Sequence, residues 1–261
     1  MSREWPGGRI LATVPPGACE TDTLLPAAVI VFIGYLVFGV TGFGASPITV
    51  PMLAHFLPVP FVLSLAAALD LGSAAVLVLH TREQADVREL LVLMPFTIIG
   101  LAVGVTLLVR LPRDATLLAL GIFVCGYALY IMLHRGPRRV LGRVWAAPAG
   151  ILSGILGALF GVGGPPYVAY IAGRIEDGAA QRATISQMIV LNVGLRVAVF
   201  ALAGLFSRRD LWLAIGVLLP VAWAGVWTGN HVHTRLQPAH VVRIVGATLL
   251  FSGASLIARA L

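Results

Sequence analysis

Eight apolar runs, separated by short arginine-bearing links, set the pattern of the chain: 26–57, 61–80, 90–109, 115–133, 147–172, 183–206, 211–229 and 239–258. A helix of about 20 residues crosses a bilayer, so the shorter runs read as single spans. Each is continuously apolar without two-residue alternation, which predicts helices and not barrel strands. The first and fifth runs are longer, and both are interrupted. Phe38-Gly39-Val40-Thr41-Gly42-Phe43-Gly44-Ala45-Ser46-Pro47 breaks one, and Phe160-Gly161-Val162-Gly163-Gly164-Pro165-Pro166 breaks the other. Glycine and proline are costly inside a helix. The pieces on either side of the first break, 26–38 and 45–57, would each be about 20 Å of helix, too short to cross alone. The run is therefore expected to be one interrupted, tilted span or a re-entrant hairpin, and its unpaired backbone must be covered by protein or line a cavity.

The break is half of a longer duplication. Phe38-Gly39-Val40-x-Gly42 aligns with Phe160-Gly161-Val162-x-Gly164, and Ser64 and Leu69-Asp70-x-Gly72 align with Ser186 and Leu191-Asn192-x-Gly194 at the same offset. Pro95, Gly100, Gly104 and Gly121 align with Pro220, Gly225, Gly229 and Gly246 at a second, slightly larger offset. Matches in one order predict two homologous halves. The expected organisation is a flexible N-terminal arm (1–25), a first half (26–134), a basic cytoplasmic linker (135–146) and a second half (147–261), the halves packing as one unit. The small-xxx-small pairs Gly100/Gly104 and Gly225/Gly229 read as helix-packing faces.

Composition agrees with lipid as the solvent. The chain is 59% hydrophobic and 11% charged, against about 25% charged in soluble domains. The net charge is +7, carried by arginine alone. The arginines are scattered through the links and do not form a stripe, so they read as topology signals and not as a nucleic-acid surface. Counting them favours eight crossings with both termini cytoplasmic and parallel halves. A re-entrant first segment in each half would instead make the halves inverted, and both arrangements stay open. The first 25 residues are interrupted by Pro6, Pro15 and Pro16, unlike a signal peptide. Cys19 and Cys125 are expected at different depths, which argues against a disulfide between them.

Catalytic constellations are absent from the sequence: no HExxH, GxSxG, P-loop or paired carboxylates. No cofactor and no metal site is expected, and the chain is read as a non-enzyme. Glu83, Asp86 and Glu89 sit with Arg82 and Arg88 in what reads as a solvated charge run. The six histidines read as interfacial. The two breaks do carry chemistry. Helices restarting near Ala45 and Pro166 would aim N-terminal amides at an anion, and Thr41 and Ser46 add hydroxyls. Asp70 is a carboxylate inside an apolar run, costing about 2.5–3.5 kcal/mol on insertion scales. It reads equally as a proton-linked or gating group and as a hydrogen-bonded structural one. Arg196, one turn after Asn192, is suited to hold an oxyanion or to pair with Asp70. Tyr167 follows the second break and could line the site, whereas Tyr170 reads as packing.

Thr41-Gly42-Phe43-Gly44-x-x-x-Ile48-x-x-Pro51-Met52-Leu53, together with Gly161-x-Gly163-Gly164-Pro165-Pro166-x-x-x-Tyr170, resembles the sulfite exporter TauE/SafE family. The resemblance covers residues from about 26 to 259. It implies an all-α, polytopic transmembrane bundle of about eight segments in two four-segment halves, in a bacterial cytoplasmic membrane. It also implies transport of small sulfur-containing anions such as sulfite, thiosulfate and organosulfonates. The resulting expectation is a secondary transporter, an exporter by direction, working by alternating access between the two halves. A passive anion channel, or a transporter of an unrelated small anion, is the alternative. The expected partners are the anion and the bilayer, with no nucleic acid and with homo-oligomerisation left open. Thr41, Gly42, Phe43, Gly44, Ser46, Gly163, Gly164, Pro165, Tyr167, Asn192 and Arg196 are the candidate substrate contacts, and Asp70 is the candidate coupling or gating residue.

Overall fold

The computed structural model describes residues 21–41, 44–78, 85–133, 141–232 and 238–260 of the 261. Every apolar run is helical, and the first and fifth runs are each split into two helices. In chain order the helices are α1 (Thr21–Thr41), α2 (Ser46–Leu53), α3 (Val59–Val78), α4 (Val87–Arg110), α5 (Arg113–Leu133), α6 (Ala146–Phe160), α7 (Gly164–Arg174), α8 (Gly178–Leu202), α9 (Arg209–Val232) and α10 (Pro238–Ala260). No strand occurs among the described residues. Four stretches are long and apolar enough to cross a membrane: Val87–Arg110, Arg143–Phe160, Gly178–Leu202 and Arg209–His231. Four others, Leu24–Val40, Val59–Ala74, Asp114–Tyr130 and Leu249–Ala258, are shorter apolar stretches.

The broken runs do not divide evenly. α1 has 21 residues and α2 has 8, where the sequence predicts pieces of equal length. The helix begins upstream of the apolar run, with Pro26 accommodated inside it, and the second piece stops after Leu53 because the chain turns before Pro58. At about 1.5 Å per residue, α1 reaches about 30 Å and α2 only about 12 Å. The fifth run divides into α6 with 15 residues and α7 with 11. Two glycines make the breaks: Gly44 at φ 92° and Gly161 at φ 74°, a left-handed region that other residues enter only under strain.

Four helix pairs build the bundle. α1 packs along α9, α4 along α6, α5 along α10, and α3 crosses α8. The glycine faces act as the sequence predicts. A Cβ on Gly154 of α6 would strike the Thr97 carbonyl and the Leu101 amide of α4, and one on Gly229 of α9 would strike the Leu36 carbonyl of α1. Gly100 and Gly225 are equally enclosed, against Ile151 and Phe32. Without a hydrophobic drive between helices in lipid, such close backbone approach supplies the packing energy. α3 lies at the centre, with Val62, Leu63, Leu65 and Ala67 fully buried. Leu25, Leu91, Ile99, Trp212, Leu213 and Phe251 cover the outside, exposed as a lipid-facing surface requires.

Glu89 corrects the sequence reading. It is in the first turn of α4, only 3% exposed, and not in a solvated run. Its carboxylate accepts from Arg174 Nη2 at 2.9 Å, from Tyr170 Oη at 2.6 Å and from Arg143 Nε at 3.4 Å. Three donors on one carboxylate offset its desolvation. Tyr170, expected to serve packing alone, is thus also a hydrogen-bond donor.

Candidate functional site

The two breaks meet. A Cβ on Gly161 would lie 3.1 Å from Ser46 Cβ and 3.2 Å from Val50, so the left-handed turn ending α6 rests on the first turn of α2. Between them lies a cavity of about 50 Å³. A single water needs about 10–15 Å³ by this measure, so the space suits one compact ion. Gly44, Ser46, Asp70, Gly163, Gly164, Pro165, Tyr167, Asn192 and Arg196 all line it. The structure thus brings together nine of the twelve residues singled out from the sequence. Gly42, Phe43 and the side chain of Thr41 lie outside the described residues.

At the centre is an ion pair. Arg196 Nη2 donates to Asp70 Oδ2 at 2.8 Å. Arg196 is 1% exposed and Asp70 is 7% exposed. Each partner is tied back to its own surroundings. Asp70, on α3, also accepts from Tyr35 Oη of α1 at 2.7 Å and from Ser46 Oγ of α2 at 2.5 Å. Arg196, on α8, donates through Nη1 to the carbonyls of Gly161 at 3.0 Å and Gly157 at 3.5 Å, which close α6. A cation at a helix C-terminus meets the negative end of its dipole. Such compensation is what lets two charges persist in a low-dielectric interior. The pair bridges α3 to α8 and, through them, the first break to the second.

One nitrogen of the Arg196 guanidinium, Nε, is without a partner among the described residues, although it is fully buried. Tyr167, 4% exposed, also lines the cavity. Asn192, one turn before Arg196 on α8, donates through Nδ2 to Ser153 Oγ at 3.5 Å, and Ser153 Oγ donates to the Gly163 carbonyl at 2.5 Å.

The helix N-termini face the cavity as the breaks predict, with a restriction. α2 starts at Ser46 after Ala45, and α7 starts at Gly164 after Gly163, neither with a side-chain cap. The first-turn amides that remain can serve an anion, although Ile48 N of α2 already donates to the Ala45 carbonyl at 3.0 Å. Pro47, Pro165 and Pro166 have no N–H, however, so the backbone offers fewer donors than two ordinary helix ends would. That shifts weight to the side chains. Among the described residues no three His, Cys, Asp or Glu groups cluster to hold a metal.

Tyr35, Ser153, Tyr127 and the Gly157 and Gly161 carbonyls were not singled out from sequence. Tyr35 meets Asp70 across 35 residues and Ser153 meets Asn192 across 39, distances at which no local pattern is visible. A polar residue one or two turns before each break was the one available signal.

A helical membrane bundle with two interrupted helices closing on a buried ionic cavity is the architecture of a membrane transporter. The profile of the family described as Sulfite exporter TauE/SafE matches residues 27–256, and the chain belongs to that family. It is also similar to the probable inner membrane transporter protein TsaS of Comamonas testosteroni, at 27% identity over 176 residues, covering 67% of this chain and 73% of the relative. No solved structure matches.

Proposed function

We propose that the chain is a multi-pass inner-membrane transporter that exports a small sulfur oxyanion or short organosulfonate, with the anion seated in the cavity between the two breaks. The observation that carries this is the buried Arg196 guanidinium, whose Nε has no partner among the described residues, lining a small cavity that two helix N-termini without side-chain caps also face. Guanidinium N–H groups and helix N-termini both favour oxyanions. Tyr167 and Asn192 complete the donor set, and Ser46, Gly44, Gly163, Gly164 and Pro165 shape the walls. Thr41, Gly42 and Phe43 belong to the same break and are assigned to the same wall. Family membership supports the sulfur chemistry, and a family of transporters supports a non-enzymatic role. An interior-negative potential drives an anion outward, by about 2.3 kcal/mol per charge per 100 mV, so export needs no strong coupling machinery.

The architecture follows from the same reading: eight membrane segments in two homologous halves, the first segment of each half interrupted. Supporting it, the packing is reciprocal. The first segment of each half lies, through its first helix, on the third segment of the other (α1 on α9, α6 on α4), the second segments cross each other (α3 and α8), and the fourth segments pair (α5 and α10). A localised cavity of one-ion size suits a carrier with alternating access better than an open channel.

The test is a thermal-shift screen of the purified chain against sulfite, sulfate, thiosulfate and short sulfonates, followed by flux in proteoliposomes. A rise in Tm with one or more of these anions, lost in Arg196→Ala, is expected. Stabilisation by none of them, or undiminished flux in Arg196→Ala, would overturn the reading.

A further inference from the structure

We infer that Asp70 is a charge-selectivity residue, which by neutralising Arg196 makes the cavity a site for singly charged anions and turns away dianions of the same shape. The inference rests on the anion-site reading above and adds the valence of the substrate to it. Among the described residues, Asp70 and Arg196 are the only charged side chains lining the cavity. They face each other at 2.8 Å, so the resting site carries no net charge. Both are nearly inaccessible to water, where charge is weakly screened and any uncompensated ion is costly. The donors left for a guest are neutral or already shared: the Arg196 guanidinium, the Tyr167 hydroxyl and the few first-turn amides that the prolines and the Ile48–Ala45 bond leave on two short helices. Such donors suffice for one negative charge. A second would lie beside the Asp70 carboxylate with no cation to answer it.

Asp70 is not free to swing away. Tyr35 and Ser46 hold it from α1 and α2 while Arg196 holds it from α8. It therefore acts through Arg196 as a fixed counter-charge and does not itself contact the substrate's acidic head.

The experiment uses the full chain in proteoliposomes, with radiolabelled methanesulfonate as the transported probe. Ethanesulfonate, sulfate and thiosulfate compete. Sulfate matches the tetrahedral shape of methanesulfonate with one more charge, so charge is separated from size. In the wild type, sulfate and thiosulfate should need about tenfold or more higher concentration than ethanesulfonate to compete. Asp70→Asn leaves Arg196 unneutralised, and that preference should collapse by about tenfold or more. Tyr35→Phe removes one hydrogen bond from Asp70 but no charge, and should keep the wild-type ratio, which a merely structural role for Asp70 does not foretell. Sulfate competing as well as ethanesulfonate in the wild type would overturn the inference while leaving the anion site standing, as would an unchanged ratio in Asp70→Asn. No flux of methanesulfonate, sulfite or thiosulfate would take down the site and the inference together. Should Asp70→Asn not fold, the wild-type ranking of competitors decides.

Discussion

Glu89 shows what a single carboxylate does when its neighbours are chosen for it. It is nearly inaccessible, yet Arg174 and Arg143 on it are 25% and 44% exposed. Removing its charge would strand two arginines, but both heads still reach water and rehydrate. Glu89→Gln should therefore cost about 1–3 kcal/mol, below the 3–5 kcal/mol typical of stranding a fully buried charge. The loss reads out as a lower Tm of the detergent-purified protein, and an unchanged Tm would show that the contacts are idle. From sequence, Asp70 and Arg196 stood out because charge in an apolar run is rare. Glu89 did not, since it lies at the mouth of its run among other charges, and its partners, Tyr170 and Arg174 of α7 and Arg143 ahead of α6, are distant in the chain. Tyr35 and Ser153 were equally hidden, because a hydroxyl in an apolar helix acquires meaning only from the residue placed opposite.

At the scale of the helix, the two breaks and the glycine faces were legible because glycine and proline act locally. The unequal lengths of α1 and α2 were not, since helix ends depend on capping and on where the chain must turn. The glycine faces support a comparison within one protein. A methyl group at Gly154 meets the backbone of α4 at the Thr97 carbonyl and the Leu101 amide, whereas one at Gly126 of α5 meets nothing within 4 Å. Backbone cannot rotate away as a side chain can, so Gly154→Ala must push α6 off α4. A loss of about 2–4 kcal/mol is expected, in the range of severe overpacking. Gly126→Ala should be neutral or stabilise by up to about 1 kcal/mol, since alanine is the better helix former. Thermal unfolding of the two variants side by side checks the contrast, and equal effects would mean the α4–α6 contact is looser than its geometry states.

At the scale of the molecule, the sequence points to two repeats but is silent on how they embrace. Alternating access between the two halves is the expectation, and the packing offers a second choice of moving bodies. The extensive contacts run between the halves that the sequence outlines: α1 with α9, α4 with α6 and α5 with α10. That second choice is interleaved: α1 and α3, both packed on α9, on one side, and α6 and α8, both packed on α4, on the other. They meet where α3 crosses α8, at the Asp70–Arg196 pair. The two schemes differ at α5 and α10. Repeats rocking as bodies must shear that interface, whereas interleaved bundles leave it intact. The native Cys125 makes the distinction measurable. A Cβ on Gly253 of α10 would lie 2.6 Å from the Cys125 sulfur of α5, close enough for a disulfide after a small adjustment. Gly253→Cys, oxidised in proteoliposomes, should cross-link α5 to α10 and retain anion flux. Flux abolished by the cross-link and restored by reductant would instead show the two repeats sliding past each other, and would return the moving parts to the boundaries drawn by the sequence.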